Sequence, residues 1–353
     1  MDRYIGLDVH SQSCTMAVVG PSGRRLTSHV LETNGRALVE AIKSVPGQKH
    51  LCLEEGTQSA WLYEILTPHV EDLVVTMPAK RVGTKDDLRD AWARAEEMRL
   101  GSFKMKIYKA PQKFTELRNA VRAHRMMTRD AVRVKNRLKS VYLSRGIATN
   151  ASLYNAERRS RWEKKLPVKH RRLAVMLGGQ LDAVMQLQGE AEDWVKKTSK
   201  AHEIVRKLST APGMGVIRTA QVVAIVVTPF RFRTVRQFWS YCGLGIVTHS
   251  SSDWVRQDGK WIRAQTFQTR GLNRNRQPDL KAVFKGAATT VIFQLTKHPL
   301  HAAYQRSLEN GTKPNLAKLT LARRIAAAVW SMWKHGEEYD PGKPLRNMKT
   351  LAI

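Results

Sequence analysis

The chain has 353 residues, 42% of them apolar, enough for a buried core in about two to three domains and too many for wholesale disorder. Against 30 Asp and Glu stand 60 Lys and Arg, and the formal charge of +30 points to a polyanionic partner, nucleic acid first. The absence of any 18-residue apolar run or signal-peptide start, with only three scattered cysteines (Cys14, Cys52, Cys242), argues against a membrane span, export, and a disulfide or zinc framework, and for a reduced cytoplasm.

Residues 4–9 and 13–19 predict two short strands, with a hairpin turn signal at Gly20-Pro21-Ser22-Gly23 before a third run at 25–31. Asn34-Gly35 opens a helical pattern through Leu38, Ile42 and Val45. A strand over 50–53 ends in Glu54-Glu55, Trp61, Leu62, Ile65 and Leu66 mark a helix, and 73–77 is a strand closed by Pro78. Residues 86–100 have helical spacing, with Leu88, Ala91, Ala95 and Met98 on one face. A strand meander followed by strand–helix alternation predicts a mixed α/β layer.

From about 113 to 145 the pattern is a long basic helix, with Leu117, Val121, His124, Thr128, Ala131, Leu138 and Val141 at 3–4 spacing. A second helical run covers about 169–207. The pair predicts an antiparallel hairpin or coiled-coil arm whose bases track a phosphate backbone; a plain helical linker is the alternative. The last third opens at Ala211-Pro212-Gly213-Met214-Gly215, continues through the apolar run 219–227, and ends in helices near 280–296, 299–309 and 314–335. It is mainly helical.

The charge is unevenly divided. Residues 1–78 hold 6 basic and 9 acidic side chains, residues 79–100 hold 6 and 5, and residues 101–200 and 201–353 hold 24 and 8 each. A passive polyanion binder has no need of an acidic head. Acids retained there point to metal holding, with an ordinary soluble domain as the bland alternative.

Four acids stand out by position. Asp8 lies within the first apolar strand, where an unpartnered carboxylate is costly to bury. Glu54 ends a strand, and Asp87 and Asp90 share a helix face three residues apart. Strand centre, strand end and helix face together form a carboxylate cluster on a sheet surface, the layout of two-metal nucleases of the ribonuclease H-like class. Two neighbours compete. Glu55 falls on the opposite strand face from the favoured Glu54, and Asp86 could pair with Asp90 in place of Asp87.

The second constellation is Tyr241-Cys242-Gly243-Leu244-Gly245-Ile246-Val247-Thr248-His249-Ser250-Ser251-Ser252. A serine run is an ordinary loop, or a hydroxyl nucleophile for phosphate with cations from Arg256, Lys260, Arg263, Arg270 and Arg274. Pro212-Gly213-Met214-Gly215 before an apolar helix has the form of a helix-hairpin-helix turn, where Gly213 and Gly215 would let backbone N–H groups meet a phosphate. Trp239, Tyr241, Trp254 and Trp261, interleaved with bases, either stack on nucleobases or belong to the core.

Taken together, these motifs resemble those of the DEDD transposases of bacterial insertion sequences, relatives of the Piv DNA invertase. Ile5-Gly6-Leu7-Asp8-Val9-His10 matches the opening strand motif and Leu53-Glu54-Glu55-Gly56 the family's Glu-Ala-Gly, which supports Glu54 over Glu55. Lys85-Asp86-Asp87-Leu88-Arg89-Asp90-Ala91 matches Lys-x-Asp-x-x-Asp-Ala, which supports Asp87 with Asp90. Pro212-Gly213-Met214-Gly215, Tyr241-Cys242-Gly243-Leu244 and Gly336-Glu337-Glu338-Tyr339-Asp340-Pro341 match the second domain. Ile246 replaces the family's proline, Ser252 replaces a glycine, and Thr269-Arg270-Gly271-Leu272-Asn273 carries one inserted residue. By spacing, Ser251 takes the place of the family's serine, with Ser250 as the fallback.

The resemblance implies a RuvC-like (ribonuclease H fold) α/β domain over 1–108, a basic helical coiled-coil insert over 109–207 and a mainly α transposase domain over 208–345. It implies a two-metal Mg²⁺ site on Asp8, Glu54, Asp87 and Asp90, and attack by Ser251 on DNA to form a covalent intermediate. It also implies donor and target DNA chosen by a structured guide RNA, and a homodimer or homotetramer with a composite active site in the bacterial cytoplasm. The alternatives are a metal-dependent, structure-specific DNA nuclease without a covalent step, and a non-enzymatic nucleic-acid scaffold.

Overall fold

A computed structural model describes residues 1–78, 86–109, 114–248, 254–263 and 269–342. The chain divides into two compact units, residues 1–111 and 112–353. Among the described residues no helix is long and apolar enough to cross a membrane.

The first unit is built on a five-stranded sheet in the order β3-β2-β1-β4-β5. Its strands are β1 (Asp2–Val9), β2 (Ser13–Val19), β3 (Arg25–Glu32), β4 (Gln48–Glu54) and β5 (Asp72–Thr76). β1–β2–β3 form the antiparallel meander, while β4 and β5 run parallel to β1. Strand alternation sorts the side chains. Ile5, Leu7, Met16, Leu51, Leu53 and Val75 pack on one face against Leu38 and Ile42 of α1 (Gly35–Ser44) and Leu62 and Leu66 of α2 (Ser59–Leu66). Asn34 caps α1 by accepting from the Ala37 N–H at 2.8 Å.

On the other face α3 (Asp87–Leu100) crosses β1, and Ala91, Trp92 and Ala95 meet Ala17 and Val19. Gly6 makes this crossing close: a Cβ there would overlap the Ala91 carbonyl oxygen. Only small residues fit at such a distance, so the close contact falls to Ala91 and Ala95, Met98 is buried a turn further on, and the predicted face residue Leu88 is exposed.

The second unit starts with α4 (Thr115–Leu143) and α6 (Val168–Ser199), joined through α5 (Ala156–Glu163). Glu116 meets Trp194 and Thr198, and Thr128 meets Gln188, so the two helices run antiparallel. The second predicted helical run breaks at 200–202, where His202 turns in to pack edge-on against Phe114, and resumes as α7 (Glu203–Ser209). Arg159 is buried against α6 in the space left by Gly178, and its guanidinium donates two hydrogen bonds to Asp182, at 2.6 and 2.7 Å. That pairing raises the Arg159 pKa and lowers that of Asp182.

The remaining helices are α8 (Gly215–Val226), α9 (Val235–Tyr241), α10 (Pro278–Gln294), α11 (Pro299–Glu309) and α12 (Pro314–His335). The last three each begin on a proline, whose missing N–H costs nothing in a first turn. Between α9 and α10 the chain makes a β excursion absent from the sequence expectations. β6 (Ile246–Thr248) pairs with β9 (Thr269–Leu272), and β7 (Trp254–Gln257) pairs with β8 (Lys260–Arg263). The β7–β8 loop is Asp258-Gly259, both at positive φ (50° and 76°), the two-residue turn whose twist suits a hairpin.

Candidate active site

Asp8 is the last but one residue of β1 and lies on the α3 face, two residues beyond Gly6. It is buried, at 6% exposure, so its carboxylate needs a partner. His10 supplies one, with Nε2 3.0 Å from Asp8 Oδ2 and 3.2 Å from Asp87 Oδ1. Three potential ligand atoms, from Asp8, His10 and Asp87, thus lie within 4.8 Å of one another.

The N-terminus of α3 delivers the acids. Asp86 is its N-cap, accepting from the N–H groups of Leu88 (3.0 Å) and Arg89 (3.2 Å). That use of Asp86 leaves Asp87 to face β1. Asp87 and Asp90 both sit in the first turn, where the helix dipole favours negative charge.

Glu54 stands beside Asp8 in register, since Leu7 pairs with Leu53 one residue earlier. Its carboxylate is ion-paired with the buried Arg94 of α3, which also donates to Glu97 at 2.6 Å. Glu55 turns the other way, where Lys109 ion-pairs with it and the Ser59 hydroxyl donates to it at 3.1 Å. Cys52 on β4 is buried beneath this site, and burial pushes its thiol up to about 12. The structure therefore draws Asp8 and Asp87 together around His10, sets Glu54 alongside on a guanidinium, and keeps Asp90 in the same helical turn as Asp87.

His10 is the residue that sequence reasoning passed over. Its signal was its place, two residues after Asp8 at a strand end, but imidazoles are common and only the folded register shows it between two carboxylates.

In the second unit the Gly243-Leu244 turn is tightly held. Gly243 has φ 68°, and a Cβ there would overlap Arg276. Arg323 donates to the Leu244 carbonyl at 2.7 Å, and the Asn273 amide donates to Ser240 Oγ at 2.8 Å. Ser250 and Ser251 lie outside the described residues. Arg256, Lys260 and Arg274 are exposed, and Arg263 and Arg270 lie in β8 and β9 with their side chains outside the description. Gly213 packs on α10, where a Cβ would overlap the Ala287 carbonyl, whereas Gly215 faces open space. Trp239 belongs to the core, while Trp254 and Trp261 are exposed.

Residues 5–144 match a DEDD-type family model described as a transposase, and residues 205–305 match one described as a transposase of the IS116/IS110/IS902 family. The first stretch holds Asp8, Glu54, Asp87 and Asp90, and the second holds the serine run. A candidate transposase of Sinorhizobium fredii, y4pF/y4sB, is 25% identical over 150 residues, 42% of this chain and 36% of that protein. An uncharacterized 44.8 kDa protein of the insertion element IS116 from Streptomyces clavuligerus is 24% identical over 174 residues, 49% of this chain and 40% of that protein. Each alignment thus spans less than half of the relative's own length.

Proposed function

We propose, from the premise that this chain belongs to the DEDD transposases of the IS110 family of insertion sequences, that it cuts and rejoins DNA strands at a divalent-metal site. One observation carries the reading: Asp8, His10 and Asp87, separated in sequence, converge at the end of β1. The five-strand order, with a meander followed by parallel strands, supports assigning residues 1–108 to a RuvC-like domain. The rest divides into a basic arm over 109–207 and a transposase domain over 208–345.

The donor set fits a hard divalent cation. Two carboxylates supply oxygen ligands suited to Mg²⁺, and the imidazole adds a donor that Mn²⁺ accepts readily. Asp8, His10, Asp87 and Asp90 would hold it, with Glu54 joining by leaving Arg94. When bound, the metal polarises the scissile phosphate.

The chain's own residues do the rest. The Ser251 hydroxyl attacks phosphorus, the bond to the leaving deoxyribose oxygen breaks, and that oxygen takes up a proton. The phosphoserine linkage keeps the phosphodiester energy for rejoining by a second 3′- or 5′-hydroxyl, the reverse displacement. Arg256, Lys260, Arg263, Arg270 and Arg274, with the Gly213–Gly215 turn, neutralise phosphate. A structured guide RNA selects donor and target DNA, the protein acts as a homo-oligomer, and it works in the bacterial cytoplasm.

The test is strand transfer on donor and target DNA with Mg²⁺ or Mn²⁺ and RNA transcribed from the flank of the gene. Asp87→Ala and Ser251→Ala should each lose at least about a hundredfold, more than an outer-shell partner of a metal commands. Denaturing gels should trap a protein–DNA adduct that Ser251→Ala abolishes, with Ser250→Ala as its control. Cleavage that survives Ser251→Ala without an adduct would assign the chain to the metal-dependent nucleases. Activity surviving both substitutions would overturn the reading.

A further inference from the structure

The β7–β8 hairpin carries two tryptophans where a soluble chain has every reason to hide them. Trp254 is 59% exposed and Trp261 67% exposed, although burying a Trp is among the larger single gains a fold can make. In the antiparallel ladder Trp254 stands opposite Arg263, and Arg256 opposite Trp261. Directly opposed residues share a face, as do residues two apart, so Trp254, Arg256 and Trp261 share one face of the ribbon.

The hairpin is a two-stranded sheet, and such a ribbon is marginal without further packing. Its Asp258-Gly259 turn adopts the tight twisted form that suits a hairpin. A tight turn presenting exposed aromatics and cations is arranged for a ligand with flat faces and negative charge. Lys260, opposite Gln257, is an exposed cation on the ribbon's other face, and Asp258 at the turn is the one acid of the ribbon.

Position in the chain selects the ligand. Ser251 lies three residues before Trp254, so their Cα atoms are at most about 11 Å apart whatever the path between them. That is about three stacked nucleotides of a strand. Base faces are hidden inside a duplex and open to a side chain only when the nucleotide is unpaired.

We infer that the β7–β8 hairpin is a stacking platform for unpaired DNA bases next to the cut, with Trp254 and Trp261 on the bases and Arg256 on the phosphates. The inference rests on the reading of the chain as a DNA-processing protein with its nucleophile at Ser251, but not on its metal. Holding flanking bases out of the helix would leave the scissile phosphate on a flexible single strand that the nucleophile can reach.

The experiment uses the full chain and a short DNA oligonucleotide containing 2-aminopurine, single-stranded or in a duplex. Binding should quench tryptophan emission and change 2-aminopurine emission for the single strand. Trp254→Ala with Trp261→Ala should weaken single-strand binding about a hundredfold, about tenfold for each lost stack, and duplex binding by less than about twofold. Trp254→Phe with Trp261→Phe should restore most of it, since a phenyl face still stacks. An unchanged thermal midpoint shows that the exposed rings are not structural.

Single-strand affinity unaffected by the alanine pair, an equal loss for duplex, or a loss confined to an RNA oligonucleotide of the same sequence would each overturn the inference. Mn²⁺ titration followed by electron paramagnetic resonance reads the Asp8–His10–Asp87 site separately. Its failure would sink the proposed chemistry and leave the stacking result standing.

Discussion

Asp8 and Asp87 in the first unit, and Trp254 and Trp261 in the second, are held in opposite ways. The carboxylates sit on elements locked together from both sides, β1 in mid-sheet and α3 pressed onto Gly6. The tryptophans ride on a two-stranded ribbon with a four-pair ladder and a tight turn. The near-neutral unit thus holds its clustered polar groups between a central strand and a closely packed helix, an arrangement suited to a metal ion. The basic unit buries Trp162, Trp239 and Phe284 but leaves Trp254 and Trp261 exposed, an arrangement suited to a polymer ligand of variable path. Rigidity follows the ligand: an ion needs a fixed cage, a strand needs a surface.

The strongest attack on this contrast is at the crossing. Gly6→Val would drive a branched side chain into the Ala91 carbonyl, and α3 must move away from β1. Overpacking of this kind costs about 3 kcal/mol or more, and it should separate Asp87 from Asp8. Thermal unfolding of the first unit and loss of Mn²⁺ binding measure it. Retained metal binding in a folded Gly6→Val variant would show that the cage does not depend on the tight crossing.

In the second unit the matching test is Asp182→Ala, which strands the buried Arg159 guanidinium. The expected loss is about 2 kcal/mol, below the figure for a fully buried pair because Asp182 is partly exposed. The pH dependence has a definite sign. The Asp182 pKa is lowered in the fold, so its stabilisation is present above the usual carboxylate value near 4 and is lost as pH falls through the folded value. Circular dichroism melts of wild type should therefore lose helical stability below about pH 4, and those of Asp182→Ala should show less of that loss.

A smaller effect sharpens the role of the α3 terminus. Asp86→Ala removes two accepted hydrogen bonds and should cost about 1 kcal/mol, while leaving the carboxylates of Asp87 and Asp90 in place. Metal affinity should then fall much less than in Asp87→Ala. Comparable losses would make Asp86 the ligand and Asp87 the cap. The smallest expected effect is none: the Cys52 thiol, pushed up to about 12 by burial, should resist alkylation in the native chain at pH 8.

Much of the first unit was legible along the chain. An alternating apolar run marks β1, short apolar runs mark β2 and β4, and Asn34 marks the start of α1. The Asp258-Gly259 dipeptide carries a hairpin signal, but the strands around it are only four residues long and rich in charge. Arg94 with Glu54, Lys109 with Glu55, and Arg159 with Asp182 left no trace in local pattern, because each joins residues from different elements.

The sequence by itself determined that Asp8 lies in a strand, Glu54 at a strand end and Asp87 and Asp90 on one helix face, where the positive charge lies, and which glycines and prolines punctuate the chain; the structure moved Asp8 from the centre of its strand to next to the end. These are properties of neighbours along the backbone. Only the tertiary structure decided that His10 lies between Asp8 and Asp87, that Arg94 claims Glu54, that Asp86 is a cap, and that Trp239 is core while Trp254 and Trp261 are surface. Those outcomes depend on strand register and on how closely a helix can approach a glycine. Both are set by packing between segments far apart in the chain, and local propensity does not encode them.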